Sequence, residues 1–174
     1  AAAHIQLDEN GEFVRNPKED LVKVAVVERH QGTGNVACGF LKGYGIKEGA
    51  VALSVAHDSH NIIVVGVNDE EMEFAVNSLI AQEGGIVLVK EGKVIEQMPM
   101  PIAGLMSDQS GEWVDEKLTC IHEKAYTELG ICGDVEPVMT LCFMSLAVIP
   151  EIKLTDMGLF DVTTFSFIPV EISR

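Results

Sequence analysis

The sequence predicts an α+β fold, a layered domain with a mixed, mainly antiparallel β-sheet and two amphipathic helices. Three observations predict it. Runs rich in β-branched residues, Leu21 to Val27 and Ile62 to Val67, suit strands covered on both faces. Two longer stretches carry apolar residues at helical spacing. Between Ile86–Lys90 and Lys93–Gln97 stands Glu91-Gly92, the two-residue connection that closes a tight hairpin.

Residues 1–20 mix Asn, Gly, Pro and charge around one short apolar pair, Phe13-Val14, and read as a tether or edge segment preceding a domain over 21–174. The first strand ends near Glu28. Asn35 to Leu41 reads as a short strand that gives way to turns at Gly43, Gly45 and Gly49. Val51 to Ala56 and Ile62 to Val67 follow as strands. Asn68 has the character of a helix N-cap, with Glu71 three residues on to complete a capping box. Met72, Ala75, Val76, Leu79 and Ile80 form that helix's buried stripe, and Gly84-Gly85 stop it. A second helix is expected from about Glu112 to Leu129, with Val114, Leu118, Ile121, Ala125 and Leu129 inward and Gly130 as the stop. Pro137 to Val148 is so uniformly apolar that periodicity does not separate a buried strand from a buried helix. Thr163 to Ile168 alternates and adds an edge strand.

Charge and composition exclude several functions. With 27 acids against 12 bases the net charge is -15, a field that repels phosphate backbones and anionic lipid, so neither nucleic acid nor membrane is expected as a partner. No apolar run approaches the roughly 20 residues that cross a bilayer. Ala1 to Gly11 lacks the basic and long apolar regions of a secretory signal, which suggests a cytoplasmic protein. Cys38, Cys120, Cys132 and Cys142 form no CxxC pair and read as buried, reduced thiols. The 47% hydrophobic content and the Met-rich segments leave subunit association, as a structural or homo-oligomer-forming domain, as a second reading.

The candidate functional residues fall in two clusters. His57, Asp58, Ser59, His60 and Asn61 stand between two very apolar strands, where leaving such groups unpaired is costly. They therefore either satisfy one another in a turn or meet a ligand or a neighbouring domain. Glu28, Arg29, His30, Thr33 and Asn35 follow the first strand, and adjacent strand ends would bring the two clusters together. The plain alternative is an ion pair closing the strand end. Metal binding by His57 and His60 has no obvious third ligand, and Ser59 lacks the Gly-x-Ser-x-Gly elbow of an exposed nucleophile. Trp113 reads as a packing anchor, His122 as solvated on a charged helix face, and Met98 to Met106 as flexible loop and core filler.

Several segments in this order, Val26-Val-Glu-Arg-His-x-x-Thr-Gly-Asn35, Ser54-Val-Ala-His-Asp-Ser-His-Asn-Ile-Ile-Val-Val-Gly66, Gly84-Gly-Ile-Val-Leu-Val89, Met98 to Ser107, Pro137-Val-Met-Thr-Leu141 and Val148 to Asp156, resemble the C-terminal domain of bacterial adenine deaminases of the amidohydrolase type. The resemblance implies hydrolysis of adenine to hypoxanthine and ammonia by a full-length enzyme. It also implies an upstream barrel of the same polypeptide holding a divalent metal (manganese, iron or zinc), with adenine as the small-molecule substrate. No cofactor, metal ligand or catalytic residue is assigned to the present segment, which contains no His-x-His pair and is shorter than the about 250 residues a (β/α)₈ barrel needs. By itself it is expected to be inactive. The two polar clusters are expected to face the barrel mouth and help enclose the purine.

Overall fold

A computed structural model of the protein describes residues 3–11, 13–16 and 18–171. A six-stranded sheet organises them. Its strands are β3 (Leu21–Val27), β4 (Val36–Lys42), β5 (Ala50–Leu53), β6 (Ile62–Gly66), β7 (Gly85–Lys90) and β8 (Lys93–Pro99), in the order β4-β3-β6-β5-β7-β8. Every pairing within it is antiparallel, so the parallel component that a mixed sheet allows is not used. A hairpin of β1 (Gln6–Leu7) and β2 (Phe13–Val14) precedes it, and Phe13 rests on Phe40 of β4 with ring centroids 4.9 Å apart.

Strand alternation sends side chains to opposite faces, and each face has its own core. One face collects Ala25, Ala50, Ala52, Ile62, Val64, Val87 and Val89 beneath α1 (Asp69–Ala81), which contributes Met72, Ala75 and Leu79. The other collects Val22, Val24, Val26, Val51, Leu53, Ile63, Val65, Ile86 and Leu88 beneath α2 (Gly111–Thr127) and α3 (Pro137–Met144). Double coverage explains the near-continuous apolar runs of these strands. A small sheet of β9 (Ile152–Thr155), β10 (Gly158–Asp161) and β11 (Ser166–Ile168), in the order β11-β10-β9, closes this second face beside β4. There Leu154 and Leu159 press on Gly39, where an added Cβ would lie 3.3 Å from Leu159 Cδ2.

Local signals predict these elements closely, and the departures have physical reasons. There are three helices rather than two, because the undecided segment Pro137 to Met144 is helical, capped by the Glu136 carboxylate and opened by a proline at its first turn. Asn68 caps α1 as expected, accepting from Glu71 N at 2.8 Å, but the capping box is not completed. The Glu71 carboxylate instead accepts from Gly92 N at 3.1 Å, at the tip of the β7–β8 hairpin. Ile80, assigned to the buried stripe, is exposed. Of the four cysteines only Cys142 is buried; Cys38, Cys120 and Cys132 are exposed, a correction to the expected buried thiols. His122 is not merely solvated, since its Nε2 meets the carboxylate of Glu136 across from α3.

Candidate functional site

Antiparallel order places the C-terminal ends of β3, β5 and β8 beside the N-terminal ends of β4, β6 and β7. Three connections therefore gather at one end of the sheet: residues 28–35, 54–61 and 100–107. The two polar clusters do meet there. His30 Nε2 lies 2.7 Å from the Ser59 carbonyl oxygen, and the Arg29 backbone N–H donates to Asn61 Oδ1 at 3.4 Å. The Arg29 guanidinium donates through Nε to the carbonyl of His60 and through Nη2 to that of Ala103, at 2.9 Å for the latter. One cation thus joins all three connections. Burial lowers the Arg29 pKa from its ordinary value, but the group remains a cation among carbonyl dipoles.

Glu28 serves the loop that follows it. Its carboxylate accepts from the backbone N–H groups of Thr33, Gln31 and His30 and from the Thr33 hydroxyl, at 3.0 Å for each Thr33 donor and 2.7 Å for Gln31. Thr33 N–H leads the set that draws its pKa down to about 2. Thr33 Oγ1 in turn accepts from Asn35 N at 3.2 Å, so Glu28, Thr33 and Asn35 shape the turn rather than project from it. Asn35 and Thr33 are exposed.

In the second loop the side chains divide. Asn61 is buried, and its Nδ2 reaches Asp156 Oδ1 at 3.2 Å in the β9–β10 turn. His57 is held by its backbone: its N–H donates to the Cys142 carbonyl at 3.0 Å and its own carbonyl accepts from Ser145 Oγ at 3.2 Å, while its ring lies 5.0 Å from Phe143. Asp58 and Ser59 are exposed at the tip, with Ser59 Oγ accepting from Asn61 N at 3.4 Å. His60 adopts φ 52°, and its ring lies 6.0 Å from that of His57. Its Nδ1 is buried without a hydrogen-bond partner. Burial first, then the neighbouring His57 and Arg29, lower its pKa, so His60 is neutral and its ring nitrogens offer one donor and one acceptor.

Two participants carry no local sequence signal. Ser54, fully buried at the end of β5, donates to the Gly104 carbonyl at 2.5 Å and accepts from Gly85 N at 2.8 Å. With Arg29 on Ala103 it pins residues 100–107, the part of Met98 to Met106 expected to be a flexible loop, whereas Met98 is core filler as expected, fully buried. Asp156 is the other, 95 residues from its partner Asn61. Beneath Arg29, a shallow cleft of about 200 Å³ is lined by Ser54, Ile62, Leu79, Ile80, Glu83 and Gly84. Among the described residues, no three His, Cys, Asp or Glu side chains are grouped so as to hold a metal ion.

Frame and loops together define a layered α+β domain that presents a preassembled polar end. The family described as adenine deaminase C-terminal domain matches residues 2–166. An adenine deaminase 2 of Desulfotalea psychrophila is 71% identical over 167 residues, covering 96% of this chain and 29% of that protein. Adenine deaminases of Ligilactobacillus salivarius and Nitratidesulfovibrio vulgaris are 51% and 53% identical, over 97% and 88% of this chain and 29% and 27% of theirs. The chain belongs to the adenine deaminase C-terminal domain family. It spans about three-tenths of the length of these relatives.

Proposed function

We propose that this domain works as part of a cytoplasmic adenine deaminase, which hydrolyses adenine to hypoxanthine and ammonia, and that its polar end faces the mouth of a preceding metal-bearing barrel. Residues 1–20 serve as the connection, and within them Phe13 rests on Phe40 and Arg15 donates to the carbonyls of Ile46 and Lys47. The divalent metal of such an enzyme, manganese, iron or zinc, belongs to that barrel in this reading.

The observation that carries this reading is His60 Nδ1. A buried nitrogen without a partner costs about 1 to 3 kcal/mol, and such a cost is retained where the group meets something else. It stands where two polar loops join, beside exposed Asp58 and Ser59. A shift of the 54–61 loop on docking would open this nitrogen to a purine edge or a facing catalytic loop, which supplies what it lacks. Arg29, Glu28 and Asn61 hold the loops in place, whereas Asp58 and Ser59 are exposed at the tip, beside His57 and His60.

In a full-length polypeptide carrying this domain, His60→Ala is expected to lower kcat/KM for adenine by about tenfold, the loss of roughly one good hydrogen bond. The melting temperature should stay unchanged. Steady-state kinetics with thermal unfolding of the same preparations decide it: full turnover in the folded His60→Ala protein counts against any contact with the active site.

A further inference from the structure

The polar end carries a second, unabsorbed feature. Ile80, Ile102, Met106 and Met157 are exposed by 56%, 47%, 57% and 71%. All four trace back to the network just described. Ile80 lines the cleft beneath Arg29. Ile102 bridges to Met106 across the turn whose Ala103 carbonyl accepts from Arg29. Met157 follows Asp156, the partner of Asn61.

Exposed apolar side chains scattered singly need no explanation, but these stand around one polar centre, and two of them, Ile102 and Met106, lie on a turn that is held in place. The 100–107 turn is fixed from beneath by Ser54 and from the side by Arg29. A surface so restrained loses little conformational freedom on association, which is the condition for a preorganised interface.

We infer that Ile80, Ile102, Met106 and Met157 form an apolar rim that seats this domain on the preceding part of the same polypeptide, closing the polar centre off from water. The inference rests on the proposed function for its orientation but not for its chemistry. Charge selects the occupant. The connections at this end contain one cationic side chain, Arg29, and it is engaged with two carbonyls. Asp58 and Glu83 are exposed beside it. A second copy of a chain with net charge -15 would set acid against acid, whereas a face with apolar sockets and basic side chains complements it. Relatives in which this domain fills 29% of the length have ample chain to supply such a face.

The test uses the full-length polypeptide with Ile102→Glu and Met106→Glu together. Uncoupling is expected to release an approximately 19 kDa fragment under limited proteolysis about tenfold faster than in the parent, because cleavage tracks the population of the opened form. The milder pair Ile102→Ser and Met106→Gln should give an intermediate rate and guards against a folding defect. Phe165→Glu, at a side chain 77% exposed on the small sheet, should leave the rate unchanged. Parental resistance in both rim variants overturns the inference, and so does an equal effect of Phe165→Glu. Rim variants that uncouple while His60→Ala retains full turnover would leave the docking face standing and remove the active-site reading alone.

Discussion

The two ends of the six-stranded sheet are closed by different means. At the plain end the connections are short and glycine-rich, and much of the closure runs from backbone to backbone, with the Glu71 carboxylate on Gly92 N–H, Asp20 on Gly45 N–H and Arg15 on the Ile46 and Lys47 carbonyls added at its edge. Lys47 N–H donates to the Leu129 carbonyl at 2.8 Å, Val67 N–H to that of Gly49 at 3.0 Å, and Glu91-Gly92 turns the β7–β8 hairpin with both residues at positive φ. At the polar end the loops are longer and side chains do the fastening: Glu28, Arg29, Ser54 and Asn61 each satisfy groups on another segment or turn. Polar side chains that span segments hold outward loops in fixed positions, which suits a surface that has to meet a partner.

The sharpest break of that comparison lies at the plain end. Gly49 has φ +68°, and an added Cβ would lie 2.0 Å from the Val89 carbonyl oxygen and 2.9 Å from Leu129 Cδ2. Gly49→Ala is therefore expected to cost about 3 kcal/mol in denaturant unfolding, from backbone strain and overpacking together. A loss below about 1 kcal/mol would mean that the close approach relaxes freely.

At the polar end the largest structural effect belongs to Ser54→Ala. It leaves the Gly85 N–H and the Gly104 carbonyl without the hydroxyl that now serves both, at a cost of about 2 kcal/mol. Hydrogen exchange at Leu105 and Met106 should quicken with it, while Lys47 and Val67 at the other end stay protected. Uniform acceleration at both ends would contradict the division drawn here.

The smallest effect is local and pH-dependent. Glu28 has its folded pKa depressed to about 2, below the ordinary value of about 4.3, so its hold on the 28–35 loop is complete above the ordinary value and is lost as pH falls through about 2. NMR shifts of the His30, Gln31 and Thr33 amides should hold constant above about pH 5 and move only as pH approaches 2. A midpoint near 4.3 would show that those three amides do not bind the carboxylate. Glu28→Gln should shift the same signals at every pH.

Much of the frame was legible because it is written in neighbouring residues. The near-continuous apolar run Leu21 to Val27 marks a strand covered on both faces, as the two cores on Val22, Val24 and Val26 and on Ala25 bear out, and Met72, Ala75 and Leu79 are helical spacing. Asn68 and Glu91-Gly92 are local caps and turns that the structure retains. The α3 segment was not legible because its residues are apolar on every side, so neither period stands out. The meeting of the two polar clusters followed from strand adjacency, yet the individual bonds did not. Ser54 to Gly104, Arg29 to Ala103 and Asn61 to Asp156 span 50, 74 and 95 residues, and no local pattern records a partner at such distance. The same applies to Glu71, whose carboxylate left its own helix for Gly92.

Antiparallel pairing carries a consequence for how the polar end is made. The 28–35 and 54–61 loops each close a hairpin between consecutive strands, β3 with β4 and β5 with β6, and so nucleate from nearby chain. Arg29 meets Asn61 only where β3 pairs with β6, strands with β4 and β5 between them in the chain. The polar end is thus completed only by that long-range pairing, which joins two loops that each close locally.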